Sequence, residues 1–466
     1  MKVPHSCRKI GFLPYVLWSA CVPALLAAQD ADPATALRLA LSDAVARVLS
    51  ESEEIEAARS QVDQAAAQIT QATATALPQL SSNLTYNRAI KTIFDDLGGP
   101  SSEADTSEFA DLFKDLPFGR PNNYIATVQL SQLLWSGGSV GAARRAATLF
   151  RSAAQNRLEE VEADLTLQVR TAYLNAVMAQ RLHEIALQSR HVAAAHLEQV
   201  ESFYQAGTTS EFELLRARVD LENRDPPVVQ SENAVELALL ELKRLVNLPA
   251  DQPVILTTEL DPEIVEIDEE QLARLVLDRP ILHAAHEAVQ MREAAIRIYR
   301  AQRLPSLRFL GNLGFQAFPG NMAPPGFDQW RKDWSVSLAA SWNPFDGFRT
   351  RGQIGEAQAL LRQAHVEEDQ LREALELELA AALAEYAMTG AQIEARRETV
   401  TLAERTQELA EVRFANGLST QLEVSDAAFL LDQARVNEVQ AQHDYVKALA
   451  HLERLSGGTL QLLRFP

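Results

Sequence analysis

Four stretches of the chain alternate apolar and polar residues with a period of two. In Asp333–Asn343, Trp334, Val336, Leu338, Ala340 and Trp342 face one way, and Ser335, Ser337, Ser341 and Asn343 the other. Ser306–Gln316, Tyr124–Ser131 and, more weakly, Leu80–Asn87 repeat the pattern. Alternation of this kind predicts strands at about 79–90, 123–135, 306–317 and 333–344. The intervening segments carry a helical pattern of Ala, Leu and Val with charged faces. Ser139–Gln205 has no proline and, after Gly141, no glycine, and Phe348–Asn416 also has no proline. At about 1.5 Å per residue each would reach roughly 100 Å, so coiled-coil packing is expected rather than a globular core.

Each long helix ends in a glycine turn. "FYQAGTTSEFE" places Tyr204, Gly207 and Ser210 where "FANGLSTQLE" places Phe414, Gly417 and Thr420. Gly207 and Gly417 suit the left-handed residue that ends a helix. Ser210 with Glu213 and Thr420 with Glu423 form capping-box pairs that start the next one. Each copy therefore reads as the tip of a helical hairpin.

The interval between the two tips, 210 residues, holds from Trp135 to Leu245 without a gap, and "ALPQL" at 76 pairs with "RLPSL" at 303. The first copy is longer between its proline and its tryptophan. This is a tandem duplication of a whole half, too large for a solenoid unit. The expected layout is a first repeat over 29–248 and a second over 249–466. Each runs helix, two strands, long helix, return helix. The joint near Leu248–Glu263 carries a short β-like "VILTT".

An ordinary half-buried sheet would also alternate. Strands long enough for the ~9–11 residues that spanning needs, a Ser/Thr/Asn/Gln face and tryptophans at both ends of one strand point instead to a membrane barrel. Four strands cannot close a barrel, and open edges are not tolerated in lipid. The chain is therefore expected to self-associate. Eight strands leave a nearly filled interior and twelve leave a channel, so the small polar lumen face favours three copies over two.

Composition narrows the class further. The chain has 466 residues with 43 Lys+Arg against 63 Asp+Glu, which argues against nucleic acid as a partner. Residues 1–28 have a basic start (Lys2, Arg8, Lys9), an uncharged run Ile10–Ala28 and then polar "QDADPA", the pattern of a secretory signal. Removing its three basic residues moves the formal charge from −20 to −23. Both cysteines, Cys7 and Cys21, lie there, leaving no disulfide or thiolate metal site beyond it. "WSAC" resembles a lipobox that would acylate Cys21, but Trp18 and the apolar "VPALLAA" after it depart from that pattern. No nucleotide, zinc-protease or serine-hydrolase motif is present, so no catalytic, cofactor or metal site is predicted.

With the tips, "LDRPILHAAHEAV" and "RLPSL" on the page, the chain resembles the TolC-like outer-membrane efflux family over nearly all of its length past the signal. The resemblance implies an α+β membrane protein in which coiled-coil helices form an α-barrel through the periplasm. Four strands per chain would contribute to a trimeric twelve-stranded β-barrel in the outer membrane. It implies an exit duct for a tripartite efflux or type I secretion system. The partners would be a second and third copy, a periplasmic adaptor, an inner-membrane pump and outer-membrane lipid, with no chemistry of its own. The tips would dock the adaptor. Acidic rings near them would close the tunnel, with Glu198, Glu201, Glu408 and Glu411 as candidates; a solvated helix face is the plainer reading of the same spacing. The first half departs from the pattern. Ser52 and Glu53 stand in the places of Arg279 and Pro280, and Pro226 and Pro227 are expected to kink the first return helix. A soluble periplasmic coiled-coil scaffold is the alternative. It would account for the helices but not for the strands.

Overall fold

The computed structural model describes residues 36–91 and 120–458. The expected signal segment with Cys21, and most of the long segment between 89 and 121, lie outside the described residues. In chain order the elements are β1 (Leu37–Leu39), α1 (Leu41–Glu51), α2 (Glu53–Ala74), β2 (Gln79–Arg88), β3 (Asn122–Trp135), α3 (Ser139–Gln205) and α4 (Glu211–Leu245). They continue with β4 (Val254–Leu256), α5 (Glu269–Leu277), α6 (Pro280–Ala301), β5 (Ser306–Ala317), β6 (Arg331–Ser341), α7 (Arg349–Ala415) and α8 (Gln421–Leu455). A single 3-10 turn, Phe327–Gln329, precedes β6. Both long helices, α3 and α7, run for 67 residues.

The four long strands form one antiparallel sheet in the order β2-β3-β5-β6. Cross-strand partners share a face. One face gathers Leu84, Ala126 and Phe315, and beside them Val128, Leu313 and Trp334; the other gathers Gln129, Asn312 and Ser335. Strand β6 begins two residues before the expected start and stops at Ser341 rather than near 344. Ser341 pairs with Ser306, the first residue of β5. Beyond it lies Pro305, which has no N–H to donate to a ladder. Trp342 instead donates its indole Nε1–H to the Arg303 carbonyl at 3.1 Å.

Below the sheet the helices keep the same lateral order. Helix α3 packs against α2 and α6, and α6 packs against α7. Further down, α4 lies against α3, α3 against α8 and α8 against α7. The protomer is thus a slab with one edge made by β2, α2 and α4 and the other by β6 and α7.

Gln79 pairs with Ser131 in the first hairpin, and Ser306 with Ser341 in the second, at the positions that the two sequence offsets map onto each other. The first helical segment, Leu41 to Ala74, is broken at Ser52. Its hydroxyl accepts the Glu54 N–H and caps α2. The break falls where Arg279 precedes α6, without a side-chain capping bond, and Pro280 takes the helix's first position. A lost N–H costs nothing at that position because it has no intrahelical partner. Helix α4 is one continuous helix through Pro226 and Pro227, where the kink is expected. Both prolines are on its exposed side, where water can reach the carbonyls they leave without donors.

Two cores brace the slab at mid-height. One packs Leu39, Ala44, Val48 and Ile55 against Leu165, Val169, Tyr173 and Leu242. The other packs Leu272, Val276 and Leu282 against Leu375, Ile393, Tyr445 and Leu452. Strands β1 and β4 pair in parallel, Leu37 with Val254 through Leu39 with Leu256, and so tie the start of the first repeat to the joint between the repeats. Tyr173 secures this stitch: its hydroxyl donates to Leu39 O at 2.9 Å and accepts from the Thr257 and Thr258 N–H groups.

Candidate functional site

The far end of the slab is built from two hairpin tips of one design. Gly207 (φ 72°) and Gly417 (φ 70°) take the left-handed conformation a side chain would strain. Thr208 N–H returns to Phe203 O at 2.9 Å, and Leu418 N–H to Arg413 O at 2.8 Å, so each helix closes with a Schellman turn. Ser210 and Thr420 then cap the return helices, their hydroxyls accepting from the Glu213 and Glu423 N–H groups. Phe414 is half-buried, its ring 5.2 Å from His196 and 6.0 Å from Phe203, whereas Tyr204 is exposed. The two aromatic positions are therefore not equivalent: one braces the joint between hairpins and the other faces out.

Three of the candidate gate carboxylates have partners on their own chain. Glu201 accepts from Arg218 at 3.2 Å, Glu408 pairs with Arg405, and Glu411 accepts from the Gln407 amide at 2.7 Å. Glu198 is exposed.

Above the tips a polar seam joins the two hairpins, and motif reading passed over it because its members are scattered through the sequence. Arg224 on α4 reaches Asp432 on α8 at 2.7 Å, and Ser189 on α3 donates to the same carboxylate at 2.6 Å. Ser425 donates to Asp220 at 2.9 Å. These residues line a cavity of about 140 Å³ together with His196 and Gln407. His196 Nε2 is buried there without a hydrogen-bond partner. Burial lowers the pKa of this imidazole, against the pull of Asp220 and Glu411.

A second network sits at mid-height, around the Arg279 that sequence reading singled out. Arg279 is buried and paired with Glu160. Arg454 fans out to Glu160 at 3.3 Å, Asp164 at 2.6 Å and Glu378 at 2.9 Å. Burial pushes the Glu160 carboxyl up although Arg279 and Arg454 pull it down. The network clamps α3, α6, α7 and α8 together. Among the described residues no His, Cys, Asp or Glu cluster has metal-holding geometry, and no helix is long and apolar enough to cross a membrane.

A slab with bare sheet edges on a ~100 Å helical rod is one share of a membrane channel closed by association. The outer membrane efflux protein family model matches residues 44–248 and 272–458, and the chain belongs to that family. It is an outer-membrane transport protein, an exit duct for efflux, and not an enzyme. It is 24% identical over 343 residues to the cobalt-zinc-cadmium resistance protein CzcC of Cupriavidus metallidurans, covering 72% of this chain and 78% of that one. It is 26% identical over 422 residues to the pyoverdine export outer membrane protein OpmQ of Pseudomonas putida, covering 88% and 84%. The fold superposes on the CmeC outer membrane channel of Campylobacter jejuni with a TM-score of 0.74 at 18% identity, over 91% of this chain and 87% of that one.

Proposed function

We propose that three copies close side by side into a continuous duct, twelve strands above and a helical tunnel below. The tips dock on a periplasmic adaptor that an inner-membrane pump feeds. The observation that supports this reading is the matched pair of bare edges. Strand β2 is exposed along its whole length, and β6 at all but one residue.

The internal seam between the repeats predicts how the edges meet. Tyr124 pairs with Ala317, and Leu130 with Gly311. Shifted by the two sequence offsets, these become Trp334 with Ile90, and Ala340 with Leu84, of the next copy. In the rod, Ser189–Asp432 becomes Thr399 with Glu222 of the next copy, and Asn175–His443 becomes Glu385 with Asn233. Both derived pairs join a donor to a carboxylate. The chain past its signal has no cysteine, so a double variant Glu222→Cys/Thr399→Cys reports on a clean background. Oxidation is expected to give covalent trimers in SDS. Glu222→Cys with Arg413→Cys, about 20 Å further along α7 at 1.5 Å per residue, should give none. The reverse result, or a monomer in the soluble periplasmic fraction, would favour the scaffold reading.

The four tip carboxylates are proposed as the gate, since three copies would bring up to twelve together. Crowded carboxylates repel one another and attract cations. Neutralising Glu408 and Glu411 is expected to change single-channel conductance or its block by divalent cations; unchanged conductance and block would remove them from the gate. The cargoes in the relatives' names differ, so none is assigned to this chain.

A further inference from the structure

At the junction of sheet and rod the charge of the chain reverses. Over the whole sequence acids outnumber bases, 63 to 43, yet no Asp or Glu occurs between Pro121 and Leu158 or between Ala294 and Phe327. Arg144 and Arg145 lie in the first turns of α3, Arg300 in the last turn of α6 and Arg303 just beyond it, and Arg349 and Arg351 in the first turn of α7. All six are exposed. Arg349 has only a distant partner, Asp346 at 4.0 Å, and Arg145 only the Gln290 amide. Arg144, Arg300, Arg303 and Arg351 have no acidic partner within ion-pair distance among the described residues.

Directly above them runs an apolar and aromatic rim. Trp342, Phe345, Phe348 and Leu304 are exposed. The Phe345 and Phe348 rings meet edge-on at 5.5 Å, and the Trp342 indole is fixed to the Arg303 backbone. Trp rings sit at the headgroup level of a bilayer, and girdles of aromatic residues flank the apolar band of outer-membrane barrels.

We propose that these arginines form a collar that binds the phosphates of anionic phospholipids in the leaflet facing the rod. Guanidinium forks match phosphate oxygens, and their apolar stems lie along the rim above. Three copies make the collar a ring. The proposal rests on the outer-membrane reading and adds a lipid class and a binding surface to it. It also accounts for the absence of carboxylates from 122–157 and 295–326 in a chain that is acidic elsewhere, since they would repel the same headgroups; Asp346, the carboxylate beside Arg349, is engaged by the Thr350 N–H at 2.9 Å.

The test uses the intact trimer, purified in detergent and offered equal amounts of phosphatidylglycerol and phosphatidylcholine, with retained lipids counted by native mass spectrometry. Wild type is expected to retain phosphatidylglycerol with a preference of about tenfold or more, because each arginine near an anionic surface changes affinity roughly fivefold. The preference should weaken as salt rises. The variant Arg300→Gln/Arg303→Gln/Arg349→Gln/Arg351→Gln should lose it while still forming SDS-resistant trimers. Equal retention of the two lipids by wild type, or an undiminished preference in the variant, overturns the proposal. A changed anion-to-cation selectivity of conductance with unchanged lipid preference would put the arginines on the tunnel and overturn it as well. A wild-type chain that never enters a bilayer defeats the channel reading itself, which is a separate failure.

Discussion

Helices α4 and α8 occupy matching places in the two repeats and have the same length, 35 residues, but they live in different environments. In α8 the buried residues include Val424, Leu431, Tyr445, Leu449 and Leu452; in α4 only Ala217 and Leu242 are buried. Leu237, Phe212 and Val219 of α4 are exposed instead. The contacts give the reason. Helix α8 lies between α3 and α7, whereas α4 has α3 on one side and the slab's open edge on the other. Tolerance follows from position. The edge helix carries Pro226 and Pro227, while the matching positions of the interior helix are Val436 and Asn437. The difference teaches that duplication supplied equivalent parts, and that their places in the slab then set what each could vary.

The comparison can be broken most severely in the interior. Tyr445→Ala removes a fully buried ring and the hydroxyl that accepts the Val265 N–H at 3.0 Å. It should destabilise the protein by about 3–5 kcal/mol, read as a lower melting temperature of the trimer. Arg454→Gln should cost nearly as much, about 3 kcal/mol, because it leaves Glu160 half-compensated where water is scarce. Its counterpart Arg244→Gln should leave the melting temperature unchanged, since the Arg244–Glu241 pair is solvent-exposed. Exchanging the prolines probes the same asymmetry. Asn437→Pro in α8 should destabilise by about 3 kcal/mol or more, whereas Pro227→Ala in α4 should stabilise by about 2 kcal/mol, the helix-interior cost of proline less the unfolded-chain entropy it removes, compared by urea melts.

The smallest effect belongs to His196. Its folded pKa lies below the ordinary value of 6.5, so the folded chain binds fewer protons there than the unfolded one. The neutral ring's contribution is intact above that value and is lost as pH falls from it toward the folded pKa. Melting temperature should therefore fall on mild acidification by an amount that His196→Gln abolishes. An identical pH profile in the variant would count against the assignment.

Much of this was legible beforehand. Two-residue alternation located the strands, and helix α3 spans the predicted Ser139–Gln205. The tip glycines declared their left-handed turns because few other residues adopt them cheaply. What escaped reading depended on partners distant in sequence. Leu37–Leu39 is too short to show periodicity and is a strand only because Val254–Leu256 lies beside it. The seam of Ser189, Arg224 and Asp432 leaves no motif, because its members come from three helices. Helix α4 runs on through Pro226 and Pro227, and their exposure lets water reach the carbonyls they leave without donors.

The strand order carries a consequence for how the chain is made. The helical hairpins join neighbours in sequence and can form as soon as each repeat is present. The sheet cannot, because β3 must find β5, and the bond from Tyr124 Oη to Met322 O spans 198 positions. Closing so long a loop is slow. In a secreted chain the rods should therefore assemble first, while apolar strands wait exposed for the second repeat. During that interval the protein is open to aggregation, and a chaperone able to shield unpaired strands would matter more to its yield than to its final stability.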